Sequence, residues 1–227
     1  MILALHVHTN YSKCAESVIE DIYHYCIENN IRAIAICDHN QINGAKHLAK
    51  IAEGLKVIIG EEITTKQGEI IGLFLKEKIK PKQNIHDTIK QIKNQGGLVY
   101  LPHPFDIIRP FHMLPYTLMS IIKKVDIVET FNSKMILQIN NIQAQIFAKT
   151  NHKIGAVGSD AHFVKAIRCG LMEIEDFDGP NDFLEKLKTA KIVKAVKTGI
   201  SSTGWSRFKK LFQKEIRIKS RKLTKKK

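Results

Sequence analysis

The chain has 227 residues, of which 44% are hydrophobic and 26% charged, an ordinary globular make-up with ample material for a buried core. That composition excludes a collagen-like or disordered chain, and no apolar run approaches the ~20 residues that a membrane-spanning helix needs. The formal net charge is +14, but residues 201–227 hold eleven basic residues against the single acid Glu215, so residues 1–200 carry only +4. One domain over residues 1–200 with a basic tail over 201–227 is expected. The expected compartment is the cytoplasm, since Cys14, Cys26, Cys37 and Cys169 lack disulfide spacing and the opening residues lack the basic stretch of a secretion signal.

In chain order, short β-branched runs alternate with longer stretches of helical period. Strands are predicted at 2–5, 33–37, 57–60, 70–75, 98–101, 126–130, 153–157 and 192–196. Helices are predicted at 17–29, 45–53, 85–94, 136–150 and 181–190, with Ser17 and Glu20 spaced as a capping box for the first. This alternation predicts a parallel sheet, either open or closed into a barrel.

The polar residues fall where the chemistry of such a barrel collects, at the C-terminal ends of the strands. The strand at 2–5 runs into His6-Val7-His8, and that at 33–37 into Asp38-His39. The strand at 57–60 runs into Glu61-Glu62, and that at 98–101 into Pro102-His103-Pro104. The next two lead into Glu129 and Asn132, then into Gly158-Ser159-Asp160-Ala161-His162. Imidazole mixed with carboxylate suits zinc, manganese or iron rather than magnesium or calcium, which prefer oxygen alone. In an extended segment His6 and His8 point the same way and can grip one cation. Asp160 and His162 have the same period, and Glu62 can bridge two ions. More than four ligands are on offer, so two or three divalent ions are expected. Such clusters activate water and neutralise phosphoryl oxygens, which suits hydrolysis of phosphate esters.

The series His6-Val7-His8-Thr9, Asp38-His39, Gly60-Glu61-Glu62-Ile63, His103-Pro104 and Gly158-Ser159-Asp160-Ala161-His162 resembles, in order, the motifs of the PHP (polymerase and histidinol phosphatase) family. The resemblance covers about the first 170 residues. It implies an α/β fold, a distorted (β/α)7 TIM-like barrel, with a trinuclear metal centre and phosphoesterase activity. It also implies that His6, His8, Glu62 and Asp160 hold one metal, that Glu62 and His103 hold a second, and that His39 and His162 hold a third. Cys14 stands where relatives often carry Asp or His as a ligand, so it either ligates as a thiolate or leaves the third position weak. Glu69 stands where many relatives carry a ligating histidine, but it precedes its apolar run and so departs from the strand-end pattern.

Around this set, Asp38 is expected to orient a ligating histidine, and Glu61 to be a solvated neighbour of Glu62. Glu129 and Asn132 match the family's Glu-x-x-Asn segment, with a supporting, substrate-facing or ligating role open to each. Arg109 is either a clamp for substrate phosphate or a surface ion pair. His24, His47, His86, His112 and His152 are expected to be structural or exposed. Cys26 and Arg32 have the spacing of a cysteine phosphatase loop, but without its glycines, and Cys26 falls within a predicted helix.

The expected function is metal-dependent hydrolysis of a phosphomonoester or of a nucleotide or oligonucleotide phosphate, with a small phosphorylated substrate or nucleotide as partner. The alternatives are a nuclease whose tail holds RNA or DNA, a non-catalytic nucleic-acid-binding module, and an amidohydrolase, whose barrels end in a lone Asp without a partner like His162. In residues 205–227, Trp205, Phe208, Leu211, Phe212 and Ile216 recur at helical spacing among Lys and Arg. That pattern reads as an arm for RNA, DNA or an anionic membrane surface, or as a helix packed on the barrel.

Overall fold

A computed structural model describes residues 1–198. The basic amphipathic helix expected at 205–227, with its nucleic-acid and membrane readings, lies outside the described residues. Nine strands form one sheet: β1 (Ile2–Val7), β2 (Ile31–Ile36), β3 (Lys56–Thr64), β4 (Glu69–Leu73), β5 (Leu98–Leu101), β6 (Ile127–Asn132), β7 (Ile154–Ala161), β8 (Gly170–Glu173) and β9 (Lys191–Ala195). β1 pairs in parallel with both β2 and β7, closing β1–β7 into a seven-stranded barrel.

Two strands depart from the expected parallel set. β4 runs antiparallel to both β3 and β5. No helix separates it from β3, and a tight turn in which Thr65 N–H donates to the Gly68 carbonyl at 2.9 Å reverses the chain. Gly68, at φ +136, supplies a backbone conformation that a side chain would oppose. The strand expected at 192–196 is β9, which pairs antiparallel with β8 beside the start of β1 and lies outside the barrel ring. β8 escaped sequence reading because four residues opening on glycine carry almost no pattern.

Among the described residues six α-helices cover the sheet: α1 (Ile19–Glu28), α2 (Asn43–Ile51), α3 (Ile85–Asn94), α4 (Pro115–Ile121), α5 (Gln138–Thr150) and α6 (Gly179–Leu187). α1 buries Ile19, Ile22 and Cys26, and α3 buries Ile85, Ile89 and Ile92, the apolar stripes their sequences predict. The capping box at Ser17 does not form. Val18 takes the N-cap in extended conformation, and the Ser17 hydroxyl is buried without a hydrogen-bond partner among the described residues. α4 was not expected; Pro115 at its first turn starts it.

Inside the barrel, alternate residues of each strand pack together, among them Leu3 and Leu5, Ala33 and Ala35, Ile71 and Leu73, and Tyr100. Phe177 and Phe183, in edge contact at 4.9 Å, close the end where the strands begin. Apolar filling at that end leaves the opposite end for polar side chains. No described helix is long and apolar enough to cross a membrane.

Candidate metal centre

The strand ends converge. β1 loses register with β2 and β7 just before Val7, and His6 sits at that bulge with φ +59. His103 (φ +27) and Asp160 (φ +46) share this left-handed region, which costs a non-glycine residue about 1–3 kcal/mol. The strained backbone turns these side chains toward one point, so a simple extended segment is not what aims His6.

Glu62 lies at the middle. One oxygen, Oε2, is 3.5 Å from His6 Nε2, 3.3 Å from His8 Nε2 and 3.2 Å from His39 Nδ1. The other, Oε1, meets His103 Nε2 at 2.9 Å. Asp160 Oδ1 is 3.8 Å from His6 Nε2 and 3.4 Å from both His8 Nε2 and His162 Nδ1. Among the described residues four overlapping groups have the spacing to hold an ion: His6–His8–Asp160, His6–Glu62–His103, His8–His39–His162 and His39–Glu62–Glu69.

The donor set fits a divalent ion. His6 Nε2, His8 Nε2, Glu62 Oε2 and Asp160 Oδ1 are buried and without a hydrogen-bond partner among the described residues, an expensive condition for polar atoms. Their separations of 3.3–3.8 Å are too long for good hydrogen bonds. They match instead the ~3.4 Å between ligands arranged tetrahedrally at ~2.1 Å from one ion.

Electrostatics agree. Burial lowers His6, but the carboxylates of Glu129, Asp160 and Glu62 outweigh it and hold the imidazole well above its usual range. His8 is held well below its usual range by burial and by neighbouring His162 and His39. Burial raises Glu62, but His39 and His6 hold it well below the usual carboxylate range. Asp160 is likewise held low against burial, by Arg109 and Lys134.

Glu69 joins the cluster, with Oε1 3.9 Å from His39 Nδ1. Because β4 runs antiparallel, its first residue lies at the same end of the barrel as the last residues of the parallel strands, which removes the departure seen in sequence. Burial and then the charge of Glu62 push the Glu69 carboxyl up to about 8. Cys14 belongs to none of the four groups. Burial raises its thiol, but hydrogen bonds with His162 and His39 prevail and bring it down to about 6.

Glu129 does not face the cavity. Its Oε1 accepts from His6 Nδ1 at 2.8 Å and Tyr100 Oη at 2.9 Å, and its Oε2 accepts from His103 N–H at 2.7 Å and Asn132 Nδ2 at 2.8 Å. Asn132 also reaches Asp160 Oδ2 at 3.3 Å. Asp38, expected to orient a histidine, instead accepts from Thr9 N–H (2.8 Å), Thr9 Oγ1 (2.7 Å) and Ser12 Oγ (2.6 Å). Ser12 Oγ in turn accepts from His39 N–H at 3.0 Å. A carboxylate pointing from β2 into the loop after β1 fixes the backbone beside His8 rather than an imidazole.

Two cations border the cluster. Arg109 Nε donates to Asp106 Oδ2 at 2.9 Å, and Nη2 donates to Asp160 Oδ2. Lys134 Nζ is 3.0 Å from His162 Nε2 and 3.7 Å from Asp160 Oδ1. Sequence reading missed Lys134, Tyr100, Thr9 and Ser12. Thr9 stands inside the opening motif and Tyr100 on a predicted strand, but nothing local marks Lys134 or Ser12.

Glu61, expected to be solvated, is fully buried: β3 extends past it and the segment after β4 folds over it, so Oε2 accepts from Ile79 N–H at 2.8 Å. Cys26 lies within α1, and burial pushes its thiol up to about 12, so the cysteine phosphatase spacing has no chemical content. His24, His112 and His152 are exposed and His47 and His86 half-buried, all outside the four groups.

A barrel of this topology with this cluster defines a class, and the family model for the PHP domain matches residues 4–196. The chain belongs to the PHP family, which is metal-dependent. It is 35% identical over 217 residues to the uncharacterized protein MJ0417 of Methanocaldococcus jannaschii, covering 90% of this chain and 87% of that one. Among solved structures, PsfC of Pseudomonas syringae superposes with TM-score 0.62 at 13% identity, over 95% of this chain and 98% of that one. A two-domain protein of Bacteroides vulgatus containing a predicted PHP-like metal-dependent phosphoesterase gives 0.61 at 17% identity, covering 73% of this chain and 53% of that one. Endonuclease Q, in complex with a 27-mer duplex carrying an abasic lesion, gives 0.60 at 16% identity, over 85% of this chain and 58% of that one.

Proposed function

We propose that the protein is a divalent-metal-dependent phosphoesterase that hydrolyses a phosphomonoester or a nucleotide or oligonucleotide phosphate. His6, His8, Glu62 and Asp160 would hold one ion, Glu62 and His103 a second, and His39 and His162 a third, with Glu69 and Cys14 as further candidates. Zinc, manganese and iron suit the mixed imidazole and carboxylate donors. Ions in such a site lower the pKa of water and neutralise phosphoryl oxygens. The single observation that carries this reading is the convergence of four buried, unpartnered donor atoms at ligand-to-ligand spacing.

The chain's own residues do the positioning. Glu129 accepts a hydrogen bond from His6 Nδ1, which aims Nε2 at the cluster as the atom that would ligate an ion. Asp38 ties the loop of Thr9 and Ser12 beside His8 and His39. Asn132 supports Glu129 and Asp160 together. Arg109 and Lys134 supply positive charge beside Asp160, where guanidinium and ammonium can meet phosphoryl oxygens.

A second reading, hydrolysis within a nucleic acid strand, is favoured by the eleven cations of residues 201–227. Metal analysis, followed by a screen of p-nitrophenyl phosphate, its bis-ester, nucleotides and short oligonucleotides with manganese, zinc and iron, tests both readings. Turnover that requires metal and disappears in His8→Ala is expected. A chain that takes up no metal and shows no metal-dependent turnover overturns the proposal.

A further inference from the structure

The surface beside the metal centre is built against the usual pattern. α5 buries Asn140, Asn141, Ala144 and Ala148 and turns Ile139, Ile142 and Ile146 outward. Its neighbours do the same: Ile107 and Phe111 on the loop after β5, and Met119 on α4, are more than half exposed. The loop after β5 meets α5 directly, with the Phe105 and Phe147 rings 5.5 Å apart, and Leu118 and Ile121 of α4 belong to the same buried cluster as Ala148 of α5.

Eleven large apolar side chains of residues 107–146 are 45–69% exposed. At roughly 90 Å² each they total about 1,000 Å² of apolar surface over the two loops, α4 and α5, against the ~800 Å² per partner that a stable interface buries. The face also lacks charge. Residues 107–122 and 135–148 contain one ionic side chain, Arg109, whereas the chain-wide 26% charged fraction would give about eight. Arg109 is half-buried and paired with Asp106 and Asp160.

We propose that this face is the interface of a homodimer, in which α5 and α4 of one copy pack on the same elements of a second copy about a two-fold axis. Nucleic acid and anionic membranes are recruited by clusters of outward cations, and between its flanking lysines this face carries, among the described residues, only Lys197, whose Nζ donates to the Ile136 carbonyl at 2.6 Å. A second copy is the partner that matches an apolar surface of this area with so few charges, and it lets two chains of net charge +14 meet where their like charges are sparsest. The loops bearing Arg109 and Lys134 open onto this face, so the seam runs along the mouth of the metal centre. The proposal does not depend on which ester is cleaved.

Sedimentation velocity and light scattering of the full chain at micromolar concentration test it. Twice the chain mass is expected for wild type. The pair Ile139→Glu and Ile142→Glu, and separately Met119→Lys on α4, are each expected to give a monomer with wild-type circular dichroism and metal content. Ile192→Glu, equally exposed but on β9, is expected to leave the dimer intact. A monomeric wild type overturns the inference, as does a dimer that survives both interface changes, or a monomer that co-sediments with phosphatidylglycerol vesicles through this face.

Discussion

Glu129→Gln probes the centre without touching a cavity-facing atom. The Glu129 carboxylate accepts four hydrogen bonds, two on each oxygen, from His6, Tyr100, the His103 backbone and Asn132. Burial pushes this carboxyl up, but His6 outweighs it and holds the group below its usual range. Glutamine keeps the shape and turns one oxygen into a donor, so two buried donors lose their acceptor whichever way the amide turns. At about 1–3 kcal/mol for each buried donor left unsatisfied, the variant should lose roughly 2–6 kcal/mol of stability. The Tyr100 hydroxyl can rotate away, so the lower half of that range is expected. His6 also loses the anion that fixes its tautomer, which should weaken metal binding about 10–100-fold. Urea unfolding in chelator, with metal competition against a chelating dye, measures both. Glu129→Asp, which keeps the charge, should lie between wild type and Gln. A Gln variant within about 0.5 kcal/mol of wild type, with unchanged metal affinity, refutes the reasoning.

Three further outcomes are expected. Adding manganese or zinc at 100 times its dissociation constant should stabilise the chelated protein by about 2.7 kcal/mol, a rise of roughly 5–10 °C in Tm that His8→Ala removes. Gly158→Ala should be destabilised and lose metal together, because its new methyl would fall 1.7 Å from Glu129 Oε1 and 3.0 Å from Tyr100 Oη; calorimetry and metal analysis of one sample read both. In chelated protein, burial raises the Glu61 carboxyl to about 7 from an ordinary 4.5, so folding favours its neutral form. The favourable contribution is complete below pH 4.5 and fades as pH rises through 7, by roughly 3 kcal/mol in all. Glu61→Gln should therefore gain on wild type in urea midpoints between pH 5 and pH 8, and a constant difference would count against the assignment.

The identities of the metal-binding candidates could be read from the chain because each follows a short apolar run, and that local rule needs no knowledge of what lies opposite. His6, His8, His39, Glu62, His103, Asp160 and His162 all emerge this way, and all fall in the cluster. The alternation of strand and helix patterns also announced the sheet, through runs such as 98–101 that are buried on both faces, and left open whether it closes into a barrel. Strand direction was decided elsewhere. An apolar run has no polarity in sequence, so only the pairing of β4 with β3 and β5 revealed that Glu69 lies at the functional end. The roles of Glu129, Asp38 and Lys134 depend on partners at a distance: Glu129 meets His6 across 123 positions, and Lys134 meets His162 across 28. The burial of Glu61 and the outward isoleucines of α5 were likewise set by what the neighbouring elements cover. Composition and period fix which residues want to be inside or beside a cation, whereas long-range packing selects the face and the partner each one receives.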